Sequence, residues 1–180
     1  MRLRIISGEF GGRWITAPRG RTTHPMGDRV RSALFNMIDV EGKEVLDAFA
    51  GSGALGLEAL SRGAKFITFI ERDRMAARII DENITTLDVT DRAQVIQTSV
   101  ANWMSTVKDT RFDIILADPP YYDPQFSTVS KLVKYLKPNW LMILSYSGRL
   151  RVPTVNGVVV VDNRSYGEAA LAVFRLGTNS

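Results

Sequence analysis

The chain has 180 residues, 45% of them apolar and 23% charged, which suits one globular domain with a sizeable core. It holds no run of about eighteen apolar residues and no apolar N-terminal signal core, so no helical membrane span is expected and the cytoplasm is the expected address. Cysteine is absent and His24 is the single histidine, which excludes disulfides and thiolate metal ligands and leaves no histidine-built zinc site; no metal is expected.

The net charge of +4 is unevenly spread. Residues 1–31 carry seven arginines against Glu9 and Asp28, a local charge of +5, so the other 149 residues come to −1. Arginine presents a planar fork that pairs with phosphate in two-pronged fashion, and a basic segment made of arginine alone points towards nucleic acid.

In chain order, Arg2 to Phe10 and Arg13 to Ala17 flank Gly11-Gly12, a hairpin signal. Pro18 to Gly27 is a polar, turn-rich loop that the sequence predicts to be mobile. Asp28 is placed to cap a helix with Val30, Leu34, Met37 and Ile38 on one face. A regular alternation follows. Strands are predicted over Glu44–Phe49, Phe66–Glu71, Ala93–Thr98, Phe112–Ala117 and Trp140–Ser145, with helices over Ala54–Arg62, Asp73–Leu87, Ala101–Val107 and Pro124–Leu136 between them. The tail, Val155–Val161 and Ala169–Leu176, reads as two antiparallel strands joined at Arg164-Ser165-Tyr166-Gly167. Such alternation implies an α/β fold with a mostly parallel sheet covered on both faces. Ligands of such sheets bind beyond the carboxyl ends of the strands, where the strand order switches.

The first strand of the alternation runs into Asp47-Ala48-Phe49-Ala50-Gly51-Ser52-Gly53-Ala54-Leu55-Gly56. Small residues where a helix opens let backbone approach a ligand closely. Glu71, twenty residues past Gly51 at the end of the second strand, is placed to accept hydrogen bonds from a ribose diol. Read alone, Gly51, Gly53 and Gly56 also fit the dinucleotide fingerprint of a nicotinamide enzyme. Asp47 opposes that reading, because a carboxylate just before the loop would repel a pyrophosphate but would pair with an ammonium or sulfonium group. The methyl donor S-adenosyl-L-methionine fits better. Ser99, after the third strand, could reach an adenine edge or merely cap the next helix.

The fourth strand ends in Asp118-Pro119-Pro120-Tyr121. Two prolines, each lacking an N–H and fixing φ, make a stiff corner that presents a carboxylate, free carbonyls and an aromatic ring. That set suits a nucleobase with an exocyclic amine. If the Asp118 carboxylate and the Pro119 carbonyl accept the two N–H groups, the nitrogen can pyramidalise and its lone pair becomes available, while Tyr121 stacks on the ring.

With these residues in view, the chain resembles the family that methylates the exocyclic N2 amine of guanine in 16S ribosomal RNA. The likeness is closest over residues 4–13 (Arg4-Ile5-Ile6-Ser7-Gly8-Glu9-Phe10-Gly11-Gly12-Arg13), over residues 28–36, and over Asp47 to Ala64; Glu71-Arg72-Asp73, Asn83, Asp118 to Tyr121 and Tyr166-Gly167 also fit. The resemblance implies a Rossmann-like, seven-stranded class I S-adenosylmethionine methyltransferase fold (residues 28–180), preceded by a small N-terminal β-hairpin and loop that engages RNA (residues 1–27). It implies that Asp47, Gly51, Gly53 and Glu71 hold the cofactor, with Phe49, Ser52, Arg72, Ser99 and Val100 completing that set. Asp118, Pro119 and Tyr121, with Pro120 between them, would hold the base. Arg4, Arg13, Arg29 and Arg31 are the candidate RNA contacts. His24, Met26, Ser32, Ser99 and Ser145 depart from the family's usual arginine, threonine, glutamate, aspartate and glutamate, in that order.

The expected partner is ribosomal RNA, naked or in a partly assembled small subunit, engaged by a monomer that takes its base from a loop or flips it from the stack. The competing readings are a DNA adenine or cytosine amino-methyltransferase, for which almost no chain remains to build a target-reading segment, and a non-catalytic ribosomal RNA assembly factor.

Overall fold

The structure, a computed structural model, describes residues 1–20 and 26–178. His24 and half of the turn-rich loop lie outside the described residues. Two short strands, β1 (Arg2–Arg4) and β2 (Trp14–Thr16), pair antiparallel and lead through α1 (Asp28–Met37) into the alternating part: β3 (Glu44–Asp47), α2 (Ala54–Ser61), β4 (Phe66–Glu71), α3 (Arg74–Thr86), β5 (Ala93–Gln97), α4 (Val100–Thr106), β6 (Phe112–Ala117), α5 (Phe126–Leu132), β7 (Leu136–Ser147), β8 (Val158–Tyr166) and β9 (Ala169–Leu176). Seven strands form one sheet in the order β5-β4-β3-β6-β7-β9-β8. β3 through β7 are parallel, and β9 and β8 add antiparallel at the edge. This is the class I methyltransferase arrangement with an N-terminal hairpin.

Alternate strand residues feed two cores. Val45, Ile114 and Leu116 pack with Leu34, Leu57 and Ile80 of α1, α2 and α3 on one face, whereas Leu46, Ile115 and Ala117 pack with Trp103 and Leu132 of α4 and α5 on the other. A period of two with both phases apolar is what a doubly covered sheet requires. Every residue of α2 is buried, because the sheet covers one side of this helix and the hairpin residues Ile5, Phe10 and Ile15 join the core beside it. Among the described residues no helix is long and apolar enough to cross a membrane.

The hairpin departs from its expected bounds. Ile5 to Arg13 is not strand but a series of turns, because α2 claims its backbone. Glu58 accepts the Ile6 and Ser7 N–H groups at 2.9 and 3.1 Å, and the Ser61 hydroxyl accepts the Phe10 N–H at 2.9 Å. Asp28 is the first residue of α1 rather than its cap, a place taken by Gly27, and its carboxylate pairs with Arg31 at 3.0 Å. Helix α5 stops early, passing through a 3-10 turn (Val133–Tyr135) into a strand that starts at Leu136 and absorbs Pro138 by a register shift against β6. The last turn is Gly167-Glu168, since β8 runs on through Asp162 to Tyr166 with a shift after Val160. As an edge strand it can carry polar residues that sequence periodicity reads as loop.

Candidate functional site

The strand order reverses between β3 and β6, which are hydrogen-bonded neighbours with Asp47 opposite Leu116. The glycine loop and the Asp118 corner therefore start side by side at one end of the sheet. Glu71 closes β4 on the other side of β3. Three carboxylates thus converge at the tips of β4, β3 and β6.

Asp47 is buried. Its Oδ2 accepts the Gly56 N–H of α2 at 3.0 Å, whereas its Oδ1 is buried without a hydrogen-bond partner among the described residues. Burial, followed by the nearby charges of Asp118 and Glu71, pushes its carboxyl up to about 7 against the pull of the Gly56 N–H. A buried acid with an unused oxygen between two other acids is a place prepared for positive charge. Glu71 supports the loop at the same time: Oε2 accepts the Gly51 N–H at 2.6 Å and Oε1 the Asp73 N–H at 2.9 Å. One lone pair on each oxygen remains for a diol. Ser52 and Gly53 are buried in the turn into α2, and Phe49 packs half-buried on the α4–α5 core. Ser99 caps α4 by accepting the Asn102 N–H at 3.1 Å, Val100 is buried behind it, and the Arg72 side chain is exposed with its carbonyl held by Gln97 at 3.2 Å.

Asp118 is half-buried, and burial pushes its carboxyl up to about 6 while a hydrogen bond from Ser145 opposes the rise. Pro119 is buried, Pro120 is half-buried and Tyr121 is 42% exposed, its hydroxyl 3.0 Å from Ser145 Oγ. The Tyr121 phenol is raised by burial, with Ser145 lowering it and Asp118 adding to the rise. Tyr122 beside it is 70% exposed. Sequence reasoning passed over Tyr122, although two adjacent tyrosines after a proline pair are a signal that could have found it. It treated Ser145 only as a departure, although a lone hydroxyl ending the apolar run Leu141–Leu144 marked a buried polar role.

The four candidate RNA arginines separate. Arg4, Arg13 and Arg29 are exposed. Arg31 is a correction: it is 1% exposed, donates to the carbonyls of Arg4 and Met26 and to Asp28, and lies 3.8 Å from Glu58, so it fastens α1, the hairpin and α2 together and has no fork left for a phosphate. Trp14, which sequence reasoning did not single out, is open on the hairpin surface. It is 51% exposed directly across the ladder from Arg4, with the Arg2 and Arg4 guanidinium groups 5.2 and 5.9 Å from its ring centroid. No group of three or more His, Cys, Asp or Glu among the described residues could hold a metal ion.

A concavity of about 290 Å³ beside α4 and α5, lined by Met104, Lys131, Lys134 and Tyr135 among others, carries no acid and lies apart from the carboxylate tips. Asp47, Asp118 and the open Tyr121 and Tyr122 gather instead beyond the ends of β3 and β6.

Comparison with known proteins agrees with the fold. The family described as "Conserved hypothetical protein 95" matches residues 3–175. The protein "Putative rRNA methyltransferase YlbH" of Bacillus subtilis is 33% identical over 96% of this chain and 98% of its own length. Ribosomal RNA small subunit methyltransferase D of Haemophilus influenzae is 38% identical over 77% of this chain and 73% of its own. The solved structure "Putative methyltransferase yhhF from Escherichia coli" superposes with a TM-score of 0.89 at 31% identity, covering 99% of this chain and 100% of that one. The chain therefore belongs to the Conserved hypothetical protein 95 family, that of the D-type methyltransferases.

Proposed function

We propose that this protein transfers a methyl group from S-adenosyl-L-methionine to the exocyclic N2 amine of a guanine in small-subunit (16S) ribosomal RNA. The observation that carries this reading is the adjacency of two aspartate-bearing bends, Asp47 after β3 and Asp118 after β6, on neighbouring parallel strands. The ribosomal RNA named for the relatives points to the same substrate class.

The residues present fit the cofactor. Asp47 Oδ1, buried without a partner, would take a positive group of the methyl donor, and Glu71 would take its ribose diol. Ser99 already serves as a helix cap, so any adenine contact there draws on its remaining lone pair. When bound, the cofactor supplies a methyl group already activated on a sulfonium, which leaves the protein mainly the task of alignment, worth about 7–11 kcal/mol in favourable cases.

Alignment is the work of the second bend. The Asp118 carboxylate and the Pro119 carbonyl would accept the two N–H groups of the amine, which localises its lone pair towards the methyl carbon. Tyr121 would stack on the base and fix its plane, at about 1–3 kcal/mol. Nitrogen gains a carbon and must lose one proton, and Asp118 is the acceptor in reach, directly or through water. An acid whose carboxyl sits near 6 is ionised at neutral pH and still able to take up a proton transiently.

For RNA, the outward face of the hairpin offers Arg2, Arg4 and Trp14, with Arg13 and Arg29 also exposed. Guanidinium forks contact phosphates, and an indole beside them offers a stacking surface to an unpaired base. Replacement of Asp118 by Ala tests the reading. Methyl transfer to ribosomal RNA should fall at least about 100-fold, the scale of losing a positioned acid–base group, while binding of S-adenosylmethionine is retained. Retained transfer would overturn it, and transfer to duplex DNA in preference to RNA would favour a DNA amino-methyltransferase.

A further inference from the structure

The corner that receives the base is built on a loop, yet one hydroxyl from a central strand reaches into it. Ser145 lies in β7, which is hydrogen-bonded on one side to β6, with Ala117 opposite Leu144, and on the other to β9, with Ser145 itself opposite Leu171. Its backbone is thus fixed from both sides, and its side chain is buried. The Ser145 Oγ lies 3.0 Å from the Tyr121 hydroxyl, 24 residues away, and its influence on the nearby Asp118 carboxyl is to lower it against the rise that burial causes.

The donor count fits one arrangement. An ionised carboxylate only accepts, so a Ser145 that turns its single O–H to Asp118 accepts from the Tyr121 hydroxyl. The order is Tyr121 to Ser145 to Asp118. One oxygen lone pair of Asp118 is thereby occupied, leaving the rest of the carboxylate for the amine, and the far end of the Tyr121 ring is pinned. We propose that Ser145 is the positioning residue of the base-binding corner, a buried strand hydroxyl that sets the Asp118 carboxylate and the Tyr121 ring plane together before substrate arrives. This rests on the amino-methylation reading above and deepens it. A loop held only by Pro119 and Pro120 would be stiff along its backbone but free at the side chains, and a bond from a rigid strand removes that freedom.

The other groups facing Asp118 are Asp47 from β3, with Glu71 beyond it on β4, and Tyr121 from its own loop. Burial raises the cost of ionising Asp118, and Ser145 is the donor that opposes it. Removing the hydroxyl should therefore move the acidic limb of activity to higher pH, which loss of packing alone would not do.

The experiment compares wild type with Ser145→Ala, Ser145→Thr and Tyr121→Phe, following transfer of tritiated methyl from S-adenosylmethionine to small ribosomal subunits between pH 5 and 9. In parallel, the Asp118 carboxyl is titrated by carbon-13 NMR in the protein without cofactor. For Ser145→Ala the expectation is a kcat lowered about tenfold or more, an acidic limb and an Asp118 titration both displaced upward, and a cofactor Kd within about twofold of wild type, since Asp47 and Glu71 are untouched. Ser145→Thr, which keeps the hydroxyl, should restore both. Tyr121→Phe keeps the Ser145–Asp118 bond, so its kcat should fall with little displacement of the limb. An unmoved Asp118 titration in Ser145→Ala, or failure of Ser145→Thr to restore it, overturns the proposal. If Ser145→Ala does not fold, the Thr and Phe variants decide on the same criteria. A wild-type protein silent on every RNA would count against the proposed activity instead, because the NMR titration reads the hydroxyl bond without any turnover.

Discussion

Asp47 Oδ2 accepts the N–H of Gly56, nine residues on in the first turn of α2, at 3.0 Å, and so ties the tip of β3 to the helix that opens from the glycine loop. The same carboxyl has its other oxygen buried without a partner and sits near 7. Replacement of Asp47 by Asn keeps an acceptor for Gly56 but removes the charge. It should weaken S-adenosylmethionine by about 2–5 kcal/mol, the usual cost of truncating one partner of a buried charge pair, measured by isothermal titration calorimetry. It should also make the protein without cofactor more stable at pH 8 than wild type, because a buried charge with no counterion is gone.

Stability should fall, not rise, as pH increases from about 4 to 7 through these two acids. The carboxyls of Asp47 and Asp118 stand above their ordinary 3.8 in the folded chain, at about 7 and about 6, so the folded state binds more protons than the unfolded one in that window. Their contribution is therefore fully present below about 4 and is lost as pH rises through the folded values. Urea unfolding of wild type and Asp47→Asn across this range checks it: the difference in stability should grow in favour of the variant as pH rises. Because a cationic ligand favours ionised Asp47, S-adenosylmethionine binding near pH 6.5 should release protons, seen as heats that differ between buffers of different ionisation enthalpy.

Activity should carry an acidic limb. Below about 6 Asp118 is protonated, loses the charge that strengthens its bond to the amine and can no longer take up the departing proton, so kcat/KM for the RNA should fall towards a slope of about tenfold per pH unit. A flat profile down to pH 5 would remove Asp118 from the role of amine acceptor.

The hairpin should separate charge from stacking. Arg4→Ala is expected to weaken RNA binding and to lower the slope of log affinity against log salt by roughly one contact. Trp14→Ala should cost about 1–3 kcal/mol with the salt slope unchanged, as a stacking ring would. Filter binding at several salt concentrations tells the two apart. Arg31→Ala should instead lower stability, since that side chain is enclosed by the Arg4 and Met26 carbonyls, Asp28 and Glu58.

Anchoring of the hairpin on α2 is testable at a glycine. Gly8 has φ +85°, and a Cβ there would stand 1.9 Å from the Ser61 carbonyl oxygen; Gly12 has φ +86° but would meet only the movable end of Arg4 at 3.5 Å. Gly8→Ala should lower Tm by about 5 °C or more and Gly12→Ala by less, from the ~1–3 kcal/mol of left-handed strain common to both plus a backbone collision present in one.

The parts legible in the sequence are those governed by local rules. β4, β6 and β9 have the bounds their apolar runs predict, and the Asp118 corner follows β6 because prolines end strands. Where long-range partners decide, sequence was silent or wrong. Ile5 to Phe10 has strand composition but is held in turns by Glu58 and Ser61, some fifty residues later. Arg31 belonged to a basic run yet folded inward, because a charge count cannot show which side chain faces Glu58. Ser145 looked like a strand end and proved to touch Tyr121. Which strands adjoin is likewise decided at long range, and the register makes β3 and β6 neighbours.

Two aspartate bends that bring a guanine amine to a methyl donor fix which nucleoside is modified. The most direct measurement is transfer of tritiated methyl from S-adenosylmethionine to small subunits prepared from cells lacking the enzyme, followed by digestion of the 16S RNA and chromatography of its nucleosides. A single labelled nucleoside, N2-methylguanosine, is expected, absent with Asp118→Ala. Label in another nucleoside, or label undiminished in that variant, would contradict it.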